Sequence, residues 1–148
     1  MTSPAPLVVT LALAVALLGF AWDAVAGGRP LATTLTGAEE VPGPGDPDGS
    51  GEAFVTLNPG QQQVCFQLSV SGIAPATAAH IHVGPVGVAG PVVVCLAPPT
   101  TGFSSGCVSA DRALINDILS NPEEYYVNVH NAEFPAGALR GQLSNQPD

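Results

Sequence analysis

After position 30 every run of β-type residues is short, and a glycine or proline stands at almost every break. Seven such runs can be marked: Leu31 to Thr36, Ala53 to Leu57, Val64 to Val70, Ala79 to Val83, Val92 to Leu96, Tyr125 to His130 and Ala138 to Leu143. The 17 glycines and 15 prolines of the 148-residue chain supply the punctuation. Short strands at regular turn spacing build sandwiches and barrels, not doubly wound sheets. The expected fold is therefore all-β, a Greek-key-like β-sandwich or barrel of about seven to eight short strands.

The clearest alternation is Val64-Cys65-Phe66-Gln67-Leu68-Ser69-Val70, which puts Val64, Phe66, Leu68 and Val70 on one face of a strand. One segment breaks the period of two. Around 110–119, Leu114, Ile115, Ile118 and Leu119 share one side of a helix. Ser109 is the expected N-cap, Asp111 falls in the first turn, and Asn121-Pro122 ends the segment. One helix is too little to cover a sheet face, so it is expected as a lid over an open end or edge.

The apolar run Leu7 to Phe20 has the length of a signal-peptide core and is short for a bilayer span. Ala24-Val25-Ala26 follows with small residues where a signal peptidase reads, so residues 1–26 are expected to be a signal peptide and 27–148 the mature chain, one domain. The first six residues carry no Lys or Arg, and an uncleaved anchor is the competing reading. Without the leader the chain has 11 acids against 3 arginines, a formal charge of −8, and no lysine. Such a surface repels phosphate backbones and anionic membranes and favours cations, so no nucleic-acid partner is expected. No lipobox cysteine or second apolar run suggests retention, and the expected location is secreted or extracytoplasmic.

The three histidines are His80, His82 and His130. In His80-Ile81-His82 the strand period sends both imidazoles to one face, Cα atoms roughly 6.5 to 7 Å apart. In Tyr125 to His130 it sends Val127 and Val129 inward and Tyr126, Asn128 and His130 outward. If the two strands lie close, three imidazoles converge outside the core. Neutral imidazoles in an acidic protein suit copper or zinc, with Glu40, Asn128, Glu133 and Arg140 as supporting residues. The plainer reading makes them outward polar residues bonded to Asn128, Asn131 or backbone carbonyls, and makes Arg140 the ion-pair partner of Glu40 or Glu133.

Two other patterns lead nowhere chemical. The acidic turn-rich stretch 43–51 reads as a long exposed loop, since its spacing matches no EF-hand and lacks a closing Glu. Gly102-Phe103-Ser104-Ser105-Gly106 has the letters of a hydrolase nucleophile elbow without its strand–turn–helix setting, and reads as a loop. Three cysteines give one disulfide and one spare thiol, with Cys65–Cys107 and Cys95–Cys107 both open.

Four motifs in order, Leu35-Thr36-Gly37-Ala38-Glu39-Glu40-Val41-Pro42, Ala78-Ala79-His80-Ile81-His82-Val83-Gly84, Tyr125-Tyr126-Val127-Asn128-Val129-His130-Asn131 and Phe134 to Leu143, resemble the CHRD (chordin-type) domain over about residues 31–143. The resemblance implies an extracytoplasmic β-sandwich or barrel, loosely comparable with the Cu/Zn superoxide dismutase architecture. It implies no assigned activity, and it favours Cys65–Cys107 as the disulfide. The functional expectation is a non-catalytic binding or structural module with an extracellular protein or carbohydrate partner. The alternative is copper or zinc binding at the three histidines, with dismutase-like redox chemistry as its furthest extension.

Overall fold

The computed structural model describes residues 28–145, so the expected signal peptide, residues 1–26, lies outside the described residues. Among the described residues there are nine strands: β1 (Arg29–Thr36), β2 (Ser50–Asn58), β3 (Gln63–Ser71), β4 (Ala76–Val83), β5 (Val92–Leu96), β6 (Phe103–Ser109), β7 (Tyr125–Asn131), β8 (Leu139–Gln142) and β9 (Ser144–Asn145). One helix, α1 (Arg112–Ser120), joins β6 to β7. The strands form one antiparallel sheet in the order β5-β4-β7-β8-β1-β2-β3-β6, with β9 extending the line of β8 beside β1.

The chain runs β1-β2-β3 as a meander and crosses to β4 and β5. It crosses back to β6, then returns through α1 to β7, which gives the Greek-key character expected. Its two ends nearly meet. Ser104 Oγ on β6 donates to the carbonyl of Ala97, just past β5, at 2.8 Å, so the sheet almost closes into a barrel. Inward positions carry the apolar alternation read from the sequence: Leu35, Val55, Val64, Leu68, Ile81 and Val127 have no exposed surface. Each such side chain contributes roughly 1.5–3 kcal/mol by leaving water.

Helix α1 plugs the barrel end where β2 turns into β3. The Ala110 N–H reaches the Gln62 carbonyl at 3.0 Å, and Tyr125 Oη, at the start of β7, donates to the Asp117 carboxylate. Ile115 and Ile118 are fully buried, with Leu114 and Leu119 packed against the core from the same side. The cap differs from the expected one. Ser109 still belongs to β6, and Asp111 caps the helix by accepting from the Ala113 N–H at 2.7 Å. Ser109 pairs with Gln63 as the last residue of β6, so the helix is capped two residues later than expected.

Two loop readings also change. Residues 102–106 are largely strand: Phe103–Ser109 pairs in full register with β3 from Ser69 to Gln63. Most of β6 is exposed, so it lacks the buried alternation that marks a strand in sequence, and backbone pairing holds it instead. The stretch 43–51 is not an exposed loop throughout. Ser50 and Gly51 belong to β2, and Asp46 is 6% exposed. Its Oδ1 accepts from the Asp48 and Gly49 N–H groups, 3.1 Å each, while its own N–H donates to the Ala138 carbonyl at 2.9 Å. An aspartate that satisfies its own turn folds the loop onto the sheet.

Candidate metal centre

β4 and β7 are neighbours, and their register sets the histidines together. His80 lies opposite Asn128, His82 opposite Tyr126, and His130 opposite Ala78. Ile81, Val127 and Val129 fill the inner face, so His80, His82 and His130 project outward as the strand parity requires. One ring nitrogen from each lies within 4.8 Å of the other two. The ring centroids of His80 stand 5.5 Å from His82 and 5.1 Å from His130. Bonds of about 2 Å to a shared ion place donor nitrogens about 3.3 Å apart, so the rings need to close by about 1.5 Å at most.

Outward does not mean exposed. His82 is only 9% exposed, because the 84–91 segment folds back over it. A register shift between Ile81 and His82 places one extra residue on β5 beside this segment, the kind of irregularity that re-aims side chains at a sheet rim. His82 Nδ1 donates to the Gly90 carbonyl at 2.9 Å, and His130 Nδ1 donates to the Pro135 carbonyl at 3.1 Å. A carbonyl only accepts, so both rings carry their proton on Nδ1 and present a lone pair at Nε2. His130 Nε2 accepts from His80 Nδ1 at 3.2 Å. His82 Nε2 is buried and has no hydrogen-bond partner.

An unpartnered buried acceptor costs about 1–3 kcal/mol, and a cation would relieve it. Burial holds all three imidazoles below the usual histidine range. At His80 the neighbouring His130 and His82 add to this, and at His82 so do His130 and the Arg140 guanidinium. The rings are therefore neutral near pH 7, the form that ligates. For His80 to offer Nδ1, its proton has only to move to Nε2, a tautomer change without change of charge.

A family model for the CHRD domain matches residues 31–143, the stretch that contains every strand lining this centre. The chain belongs to the CHRD domain family. No curated protein and no solved structure matches it.

Within this CHRD domain the other residues singled out from sequence fall into different settings. Asn128 lies between the rings and Glu40: its Nδ2 donates to Glu40 Oε1. Glu40 is 5% exposed, and burial pushes its carboxyl up to about 7, against the opposing pull of the Arg140 charge and of hydrogen bonds from Val41 and Asn128. Gly137, at φ +152°, lies flat on this pair, where a Cβ would stand 2.3 Å from Glu40 Oε2. Glu133 is exposed and meets Asn131 through its backbone N–H alone, its carboxylate outside the group of ring nitrogens. Asn131 Oδ1 also accepts from Phe134 N, and this turn presents the Pro135 carbonyl to His130.

Arg140 bears on Glu40 through its charge, but its hydrogen bonds go to neither Glu40 nor Glu133. Its guanidinium donates to the carbonyls of Val88 and Pro85, 2.9 Å each, and to Gln142 Oε1 at 3.3 Å, and it covers the Tyr126 ring at 3.5 Å. The 84–91 segment, itself mostly exposed, lays these backbone carbonyls over the guanidinium. Tyr126, which sequence reasoning had only by its parity with His130, stacks on His82 and accepts from the Gly90 N–H at 3.1 Å through its hydroxyl. The carbonyls of Gly90 and Pro135 were invisible in sequence, since any residue supplies one. Cys65 and Cys107, directly opposed on β3 and β6, form the disulfide, and Cys95 is free and exposed.

Proposed function

We propose that this CHRD domain is an exported, non-catalytic binding module whose ligand is a copper or zinc ion held by His80, His82 and His130. The observation that carries the reading is His82 Nε2, a buried lone pair without a partner inside a group of ring nitrogens 4.8 Å across at most. Two of the three rings are fixed in the ligating tautomer by backbone carbonyls, the outer-shell arrangement that metal-binding histidines use. The disulfide and the overall negative charge fit an oxidising compartment and a cationic ligand. A redox role would need an ion that changes valence, and copper is the member of the pair that does.

Calorimetric titration of the mature protein with Cu²⁺ and with Zn²⁺, beside a His80→Ala/His82→Ala variant, tests this. One ion per chain is expected for the wild type, with binding lost or weakened more than about 100-fold in the variant. Equal affinity in both proteins would remove the site.

A second reading has its own observation. On the outer face of β2, β3 and β6, Phe54 (43% exposed) and Phe103 (55% exposed) flank Glu52, Gln67 and Ser69. Aromatic faces beside hydrogen-bonding side chains suit a carbohydrate. Loss of binding to immobilised polysaccharides in a Phe54→Ala/Phe103→Ala variant would support it, and an absence of binding in the wild type would remove it.

A further inference from the structure

Cys95 stands directly opposite His80 across the β4–β5 pair. Val94 and Leu96 on either side of it are buried, so Cys95 points outward, to the face that carries His80. Directly opposed residues have Cβ atoms about 4.5–5.5 Å apart. The thiol is exposed and outside the disulfide, so no packing fixes its side-chain rotamer. It lies outside the tight group of ring nitrogens as it stands. Rotation about a single bond, its Cα–Cβ bond, swings the sulfur toward or away from His80.

We propose that Cys95 is the fourth ligand of this centre, completing a three-nitrogen, one-sulfur set. The inference rests on the histidine reading above and deepens it. Three imidazoles leave one tetrahedral position open, and the centre has a wall on the other sides: the 84–91 segment over His82 and the 133–137 turn beside His130. Toward β5 the outward side chain opposite His80 is the exposed Cys95, which carries a donor atom. A pointer that does not depend on the cysteine is His82 Nε2, itself nine-tenths buried and unpartnered, which marks the face as built for a ligand. Thiolate beside imidazole selects zinc or cuprous copper over harder ions. Binding forms one metal–sulfur bond and releases the thiol proton to solvent; no electron is transferred.

The chain has three cysteines and two are joined, so any thiolate signal comes from Cys95 alone. Anaerobic titration with Co²⁺, a spectroscopic stand-in for zinc, is the test, on wild type, Cys95→Ser and His80→Ala/His82→Ala proteins. The wild type should bind one ion per chain with a sulfur-to-cobalt charge-transfer band in the near ultraviolet. Cys95→Ser should keep binding through the histidines, lose that band, and bind at least about 10-fold more weakly. Alkylation of Cys95 by iodoacetamide should be fast in the free protein and slow with Zn²⁺ bound. Binding without the band, an unchanged spectrum in Cys95→Ser, or a band that appears only at two chains per ion overturns Cys95 as a ligand and leaves the histidine site standing. No binding by the wild type overturns both.

Discussion

The His82 imidazole and the Tyr126 ring lie nearly parallel, centroids 4.8 Å apart and planes 9° apart, and the Arg140 guanidinium closes the stack from the β8 side at 3.5 Å. Three strands thus contribute one layer each to a column that also grips the 84–91 segment. Tyr126→Phe keeps the stack and removes the hydroxyl that accepts from the Gly90 N–H. The expected cost is about 1 kcal/mol in denaturant unfolding, with faster amide exchange confined to the 84–91 segment. Arg140→Lys should cost more, since a lysine cannot hold two carbonyls and cover a ring at once.

Glu40 gives the stability curve a definite slope. Its carboxyl titrates at about 7 in the folded protein and near 4.5 when unfolded. Between those values the folded state holds a proton that the unfolded state has released, so stability falls as pH rises from 4.5 to about 7 and is not regained above. Glu40→Gln keeps the shape, keeps an acceptor for Asn128 Nδ2 and offers a donor to the unpartnered Asn128 Oδ1. Urea unfolding of the variant should lack this slope and exceed the wild type at pH 8 by on the order of 3 kcal/mol.

The histidines act with the opposite sign. Their folded values lie below 6.5, so on acidification the unfolded chain takes up protons before the folded one does. Stability from this source is present above 6.5 and is lost as pH falls through the lowered folded values. Urea midpoints for a His80→Asn/His130→Asn protein should therefore decline less than wild type below pH 6.5. Zn²⁺ affinity of the wild type should fall over the same window.

Reducing or deleting the Cys65–Cys107 bond releases a loop with a sequence separation of 42 residues. A Cys65→Ser/Cys107→Ser protein should lose roughly 2–4 kcal/mol, or about 10 °C of thermal midpoint. Because β6 buries little apolar surface, exchange protection should drop there first.

Much of this architecture was legible in the sequence where burial is one-sided. The alternation in β3, the outward parity of His80, His82 and His130, and the apolar stripe of α1 all followed from period alone. β6 was missed because Ser104 and Gly106, opposite Leu68 and Phe66, bring no apolar side chain to the inner face and so leave no apolar rhythm. The convergence of the rings depended on β4 pairing with β7, a contact about 50 residues apart in the chain that no local pattern encodes. The folding of the 84–91 segment over His82 was hidden for the same reason, and with it the true partners of Arg140.

The strict division between the two faces of β4 and β7 has an evolutionary meaning. The side chains that would hold an ion and those that fill the barrel core lie on opposite faces: Ile81, Val127 and Val129 answer to the core, and His80, His82 and His130 to the ligand and the segments laid over it. A lineage built on this scaffold can trade one ligand for another, or give it up, by single substitutions that leave the barrel core untouched.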